Sequence, residues 1–136
     1  MVNALFTGYK QNLLGLGTRV DLDAPDDIRL LAVDHADDTP APATDDFLDD
    51  ILAAARVGTA TLAGEAILAA GAFDSNDPVF SALAGDQFES LVLYKHTGTE
   101  TTSNLMAFYD VATGLPFTPS GGDVTVVVHA SGWFSV

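Results

Sequence analysis

The chain has 136 residues, 48% of them hydrophobic, enough for one domain that buries roughly two thirds of the surface its unfolded form exposes. Nineteen acids against five Lys and Arg give a formal net charge of -14, and Lys10, Arg19, Arg29, Arg56 and Lys95 are scattered singly, so the basic stripe needed for direct nucleic-acid binding is missing. With no cysteine, no apolar run near the ~18 residues of a membrane span and no basic start before an apolar signal core, the sequence excludes disulfides and thiolate metal sites and reads as soluble and unexported, with no membrane partner.

Asn3 is placed to cap a short helix through Leu14, with Leu5, Phe6, Tyr9, Leu13 and Leu14 near one face and Gly15 and Gly17 ending it. Residues 1–19 therefore read as an N-terminal helix or arm, docked on its own domain or reaching to a neighbouring subunit, and residues 20–136 as one β-rich domain. Segment 20–27, VDLDAPDD, reads as a polar turn around Pro25, and 28–33, IRLLAV, as the first strand. Two prolines and three aspartates make 34–44 a loop. Thr44 then stands as an N-cap, Asp45 and Asp46 sit at the positive end of a helix dipole, and Phe47, Leu48, Ile51 and Leu52 share a face, which predicts a helix of two to three turns.

Residues 56–62 and 65–70 flank Ala63-Gly64 as a hairpin, 73–78 reads as a turn, and 79–83 as a short strand leading to Gly85-Asp86. The stretch 85–110 organises the rest: an apolar run containing Phe88, Leu91, Leu93 and Tyr94, a polar loop over 95–103, and a second run of Leu105, Met106, Phe108 and Tyr109. A long loop with two prolines and three glycines follows over 111–123; DVTVVVH over 123–129 is β-branched and predicted to be central in a sheet. The closing segment 132–136 would point Trp133 and Phe134 to opposite faces. The sum is a mainly β chain: an antiparallel β-sandwich or barrel of about seven or eight strands with two short peripheral helices, an α+β arrangement being the alternative.

Chemistry is sparse. Residues 21–50 hold eleven carboxylates, but the register from Asp21 fails the EF-hand pattern after its second acid, so a solvated acidic face is expected and no metal site is assigned; the best set for a cation would be Asp34, Asp37 and Asp38. His35, His96 and His129 lie on separate segments without paired ligand spacing, which leaves no zinc site, and only His35 has carboxylates beside it in sequence, Asp34 and Asp37. No GxSxG elbow occurs, and Gly121-Gly122 lacks the lysine and helix of a P-loop. The expectation is no catalytic residue, no cofactor and no enzymatic activity.

An ordered series of segments does carry a resemblance. NALFTGYKQNLL, TDDFLDDI, Ala55-Arg56-Val57, Phe73-Asp74, Gly85-Asp86, Leu93-Tyr94-Lys95 with Thr97-Gly98-Thr99-Glu100, and Thr113-Gly114-Leu115-Pro116 with Thr118-Pro119 and Gly121-Gly122-Asp123 span nearly the whole chain. Together they resemble small virion structural proteins of tailed bacteriophages. The resemblance implies a particle component assembled in the host cytoplasm and placed on the outer capsid surface as a cement or decoration protein. Its partners would be the major capsid protein and neighbouring copies of itself, in a homo-oligomer such as a trimer. Leu5, Phe6 and Tyr9 of the N-terminal helix and Leu115 and Phe117 of the long loop are the expected partner-binding residues. A head-to-tail connector or tail protein is the alternative within the resemblance, and a carbohydrate- or calcium-dependent binding module is the alternative of another class.

Overall fold

Three strands with nearly continuous apolar runs form the centre of the molecule, in a computed structural model that describes residues 3–17, Val20, Leu22 and 27–136. They are β2 (Asp27–Val33), β7 (Ser90–His96) and β8 (Leu105–Tyr109). From Leu30 to Val33, Ser90 to Tyr94 and Leu105 to Phe108 every residue is buried, as expected of strands covered on both faces. They lie in a five-stranded antiparallel sheet of order β1-β8-β7-β2-β3, with β1 (Ala4–Leu5) and β3 (Arg56–Thr61) at its edges, so no barrel closes. The predicted pair within 85–110 is present in register, Val92 opposite Phe108 and Leu93 opposite Ala107, with an irregularity after Leu93.

A three-stranded sheet of order β10-β5-β4 and a two-stranded ribbon β6-β9 complete the β framework. These strands are short: β4 (Ala66–Ile67), β5 (Ala72–Asp74), β6 (Val79–Phe80), β9 (Val124–Thr125) and β10 (Phe134–Ser135). Aromatic rings fill the space between layers. Phe108 meets Phe6 edge-on and stacks with His35; Phe134 meets Tyr9 and Phe73; Phe88 packs between Phe80 and Phe117, with ring centroids 5.6 to 6.5 Å apart in these contacts. Such separations suit the electrostatics of aromatic pairs and place large apolar areas out of water.

The architecture is mainly β with antiparallel sheets, a sandwich-like α+β fold, and the described residues hold ten strands rather than seven or eight and one α-helix rather than two. The helix, α1, runs Thr7–Leu13 and is not capped by Asn3. Asn3 instead accepts from the N–H groups of Asp110 and Val111 and donates to the Val111 carbonyl, closing the end of β8 over a separation of more than a hundred residues. The helix predicted from Thr44 is replaced by two 3-10 turns, Leu48–Asp50 and Ala53–Ala55. Its own aspartates compete with the helix: the Asp50 carboxylate takes the N–H groups of Asp46 and Phe47, and Asp45 takes that of Ala41. Phe47 bridges to Asn104, and Leu48 N–H donates to the Ser103 carbonyl.

Strand partners also depart from expectation. The predicted hairpin over 56–70 does not form, because β3 pairs with β2 and β4 pairs with β5. Phe73 and Asp74, expected in a turn, are strand residues, and the strand expected over 79–83 stops after Phe80. Within 123–129 only Val124–Thr125 is a strand, paired with β6 in the two-stranded ribbon rather than central in a sheet. Most of the turn predicted over 20–27, and the EF-hand register tested there, lie outside the described residues.

Candidate functional site

Of the five expected partner-binding residues, two are core residues and three are half-buried. Phe6 and Tyr9 are fully buried, and Leu5 is half-buried against the same core. The start of the chain is built into the sheet: β1 pairs with β8 at Ala4–Phe108 and Leu5–Ala107, Phe6 N–H donates to the Met106 carbonyl, and α1 follows with Tyr9 turned into the core. Leu115 and Phe117 are half-buried, and Phe117 exchanges two backbone hydrogen bonds of 3.0 Å with Phe88 while their rings pack at 5.6 Å. Phe6 and Tyr9 are thus closed to a partner, whereas Leu5, Leu115 and Phe117 keep part of their surface exposed.

Arg56 is the most heavily used polar side chain. Its guanidinium donates to the carbonyls of Leu48 and Ile51 and forms an ion pair with Glu100 at 2.7 Å, so one planar fork joins the 3-10 turns, β3 and the loop after β7. The hydrogen bonds from Arg56 hold the Glu100 carboxyl below its ordinary range, with the positive charge adding to the effect. Three segments of the resemblance meet here: TDDFLDDI through Leu48 and Ile51, Arg56, and Thr97-Gly98-Thr99-Glu100 through Glu100. The Gly121-Gly122-Asp123 turn is fastened to Ala82 and Leu83, through Gly121 N–H to the Leu83 carbonyl, Leu83 N–H to the Gly122 carbonyl, and Ala82 N–H to the Asp123 carboxylate.

Between α1 and the β7–β8 loop lies an open groove of about 480 Å³. The amides of Gln11, Asn12 and Asn104, the charges of Asp46 and Lys95 and the hydroxyls of Thr97, Thr101 and Thr102 face it, with Phe47 on one side. Gly8 lets the helix approach this wall, since a Cβ there would overlap the Asp46 carboxylate. Two of the hydroxyls, Thr97 and Thr102, are already bonded to each other at 2.7 Å. The sequence contained no signal for this groove because its residues come from positions 8 to 104.

Neither the family comparison nor the curated-protein comparison matches this chain to anything.

Among the described residues the carboxylates that come together are Asp34, Asp37 and Asp86, not Asp34, Asp37 and Asp38. Asp38 faces elsewhere and accepts the Leu52 N–H, while Asp86 arrives from the turn before β7. Asp34 is buried and bonds the Ala36 N–H, whereas Asp37 and Asp86 are exposed. His35 does not join its neighbouring aspartates. Its Nε2 lies 2.8 Å from the Ser90 hydroxyl, and its ring stacks on Phe108. Burial is the main reason the Asp45 carboxyl is pushed up, against the pull of its bond from Ala41, with Asp50, Asp38 and Asp46 adding like-charge repulsion. Among the described residues no helix is long and apolar enough to cross a membrane.

Proposed function

We propose that the chain is a structural protein of a tailed-bacteriophage particle, a cement protein that binds the outer surface of the major capsid protein lattice and stabilises the head. The observation that carries this reading is the ordered resemblance, and three of its segments are fastened to one another where Arg56 bonds Glu100 and the TDDFLDDI turns. In this reading the chain is not an enzyme and works in many copies, beside neighbouring copies of itself. Weak contacts repeated over a lattice become effectively permanent through multivalency, and binding only the assembled shell stabilises that shell by linkage. A net charge of -14 keeps the outer surface hydrated and opposes particle aggregation.

Quantitative mass spectrometry of purified particles against the major capsid protein tests this. A molar ratio near one, or near one per three, is expected for a lattice-wide cement. A ratio of a few hundredths would move the chain to the head-to-tail connector or tail, and absence from the particle would overturn the reading. The polar groove favours one second reading, a carbohydrate-binding module. That reading requires a rise in melting temperature with oligosaccharide, which the cement reading does not.

A further inference from the structure

The ribbon β6-β9 ends in a bare edge with unusual chemistry for this chain. Val126 N–H donates to the Pro78 carbonyl and Val128 N–H to the Asp77 carboxylate, while Val124 pairs with Phe80. The backbone groups of 124, 126 and 128 thus face β6, and the alternation of a strand directs the N–H and C=O of Thr125 and Val127 to the opposite side. Among the described residues β6 is the only strand beside β9. Burial alternates in step: Val124, Val126 and Val128 are half-buried, whereas Thr125, Val127 and His129 are exposed, Val127 at 78%.

Natural sheet edges are guarded by charge, proline or shortness. The ends of the other two sheets follow that rule, since β1, β4 and β10 have two residues each and β3 begins with Arg56. β9 itself is two residues long, but the bonds of Val126 and Val128 carry its extended course on to Val128, and the outer side of 124–128, VTVVV, has no charge and no proline and is strongly strand-forming. Charge also separates this region from the rest of the chain. Of nineteen acids, residues 111–136 contain Asp123 alone, and no Lys or Arg. The two carboxylates flanking the ribbon are both engaged with backbone, Asp123 with Ala82 N–H and Asp77 with Val128 N–H.

We propose that this edge pairs with the same edge of a second copy. Antiparallel pairing of a strand with itself satisfies a two-fold axis, which is the commonest symmetry of soluble oligomers. With the axis through Val126, Thr125 of one copy exchanges both backbone hydrogen bonds with Val127 of the second, and Val127 of the first with Thr125 of the second. Four N–H groups are satisfied, and the two ribbons become one four-stranded sheet, β6-β9-β9-β6. A second copy is favoured over an acidic or basic partner because the edge is neutral and self-complementary. It is also a place where two chains of charge -14 meet with few carboxylates between them. The inference stands on the ribbon and does not rest on the particle reading.

The test is sedimentation velocity of the full chain over a concentration series at low and high salt. A monomer–dimer equilibrium is expected, tightening as salt screens the repulsion between copies. Val127→Pro removes an outward N–H and leaves the bonds to β6 in place, so it should abolish the dimer with unchanged circular dichroism. Val127→Lys provides the same reading if the proline variant does not fold, and Leu14→Lys, on the exposed end of α1, should leave the dimer intact. Hydrogen exchange over 123–129 should slow as dimer forms. A wild-type chain that stays monomeric at high micromolar concentration and high salt overturns the proposal. So does a dimer or larger assembly that neither Val127 variant weakens, or one lost in Leu14→Lys alone.

Discussion

Tyr9, buried, and Tyr109, half-buried, should respond to the same substitution with opposite signs. Tyr9 is 1% exposed, and among the described residues nothing lies within hydrogen-bonding reach of its hydroxyl. The Tyr109 hydroxyl donates to the Trp133 carbonyl at 2.7 Å. A buried hydroxyl without a partner costs about 1–3 kcal/mol, so Tyr9→Phe removes a penalty while keeping the ring against Phe134, and a gain of about 1 kcal/mol is expected. Tyr109→Phe breaks a bond and strands a carbonyl, a loss of about 1–2 kcal/mol. For a chain of this length 1 kcal/mol moves the midpoint by about 3–4 °C, so the two variants should separate by roughly 6–12 °C in thermal denaturation, on opposite sides of wild type. Urea titration should give the same order with an unchanged slope. A Tyr9→Phe protein that melts below wild type would refute the reasoning, since it would mean that the hydroxyl is bonded. Alkali gives a second reading. Burial pushes Tyr9 from 10.0 up to about 12, so the stability tied to its protonated form is complete below pH 10 and is lost as pH rises from 10 towards 12. Tyr9→Phe should remove that part of the alkaline loss.

Arg56→Ala leaves the Leu48 and Ile51 carbonyls without their donor and should cost about 3 kcal/mol in urea titration, whereas Glu100→Gln, on the solvent side of the same fork, should move the midpoint far less; equal losses would show that the ion pair dominates. Acid should act through Glu100 in the same direction: its depressed carboxyl contributes above its unfolded pKa of about 4.5, and that contribution fades as pH falls below it. Ala82 holds a left-handed φ of 47°, so Ala82→Gly should stabilise by about 1 kcal/mol, while Gly132→Ala, at φ 89° with the Phe73 carbonyl in the way of a Cβ, should destabilise by more than that; thermal melts read both signs. Deleting residues 1–14 removes Phe6 and Tyr9 from the core, and loss of cooperative unfolding is expected rather than a folded domain that has merely lost shell binding. A truncated chain with a wild-type melt would restore the separable arm.

How much was legible depends on the range of the interactions involved. Apolar runs as dense as IRLLAV and LMAFY announce strands on their own, because only a strand buried on both faces tolerates them, and both are strands of the central sheet. Turn residues marked the loops over 34–44 and 111–123 for equally local reasons. The helix expected at Thr44 failed because short aspartate side chains can satisfy backbone N–H groups without a helix, and the choice fell to a bridge with Asn104. Nothing near Asn3 in sequence reveals Asp110 and Val111, its actual partners.

Composition and periodicity by themselves determined that the chain is β-rich and acidic, with its strands placed around 85–110, since burial of apolar runs and hydration of charge act residue by residue. Only the tertiary structure decided which strand pairs with which, that Phe6 and Tyr9 are core residues, that Asp86 rather than Asp38 joins Asp34 and Asp37, and that VTVVV lies on an edge. Those outcomes come from contacts between residues tens of positions apart, whose closure entropy grows slowly with separation and leaves no mark on the local sequence.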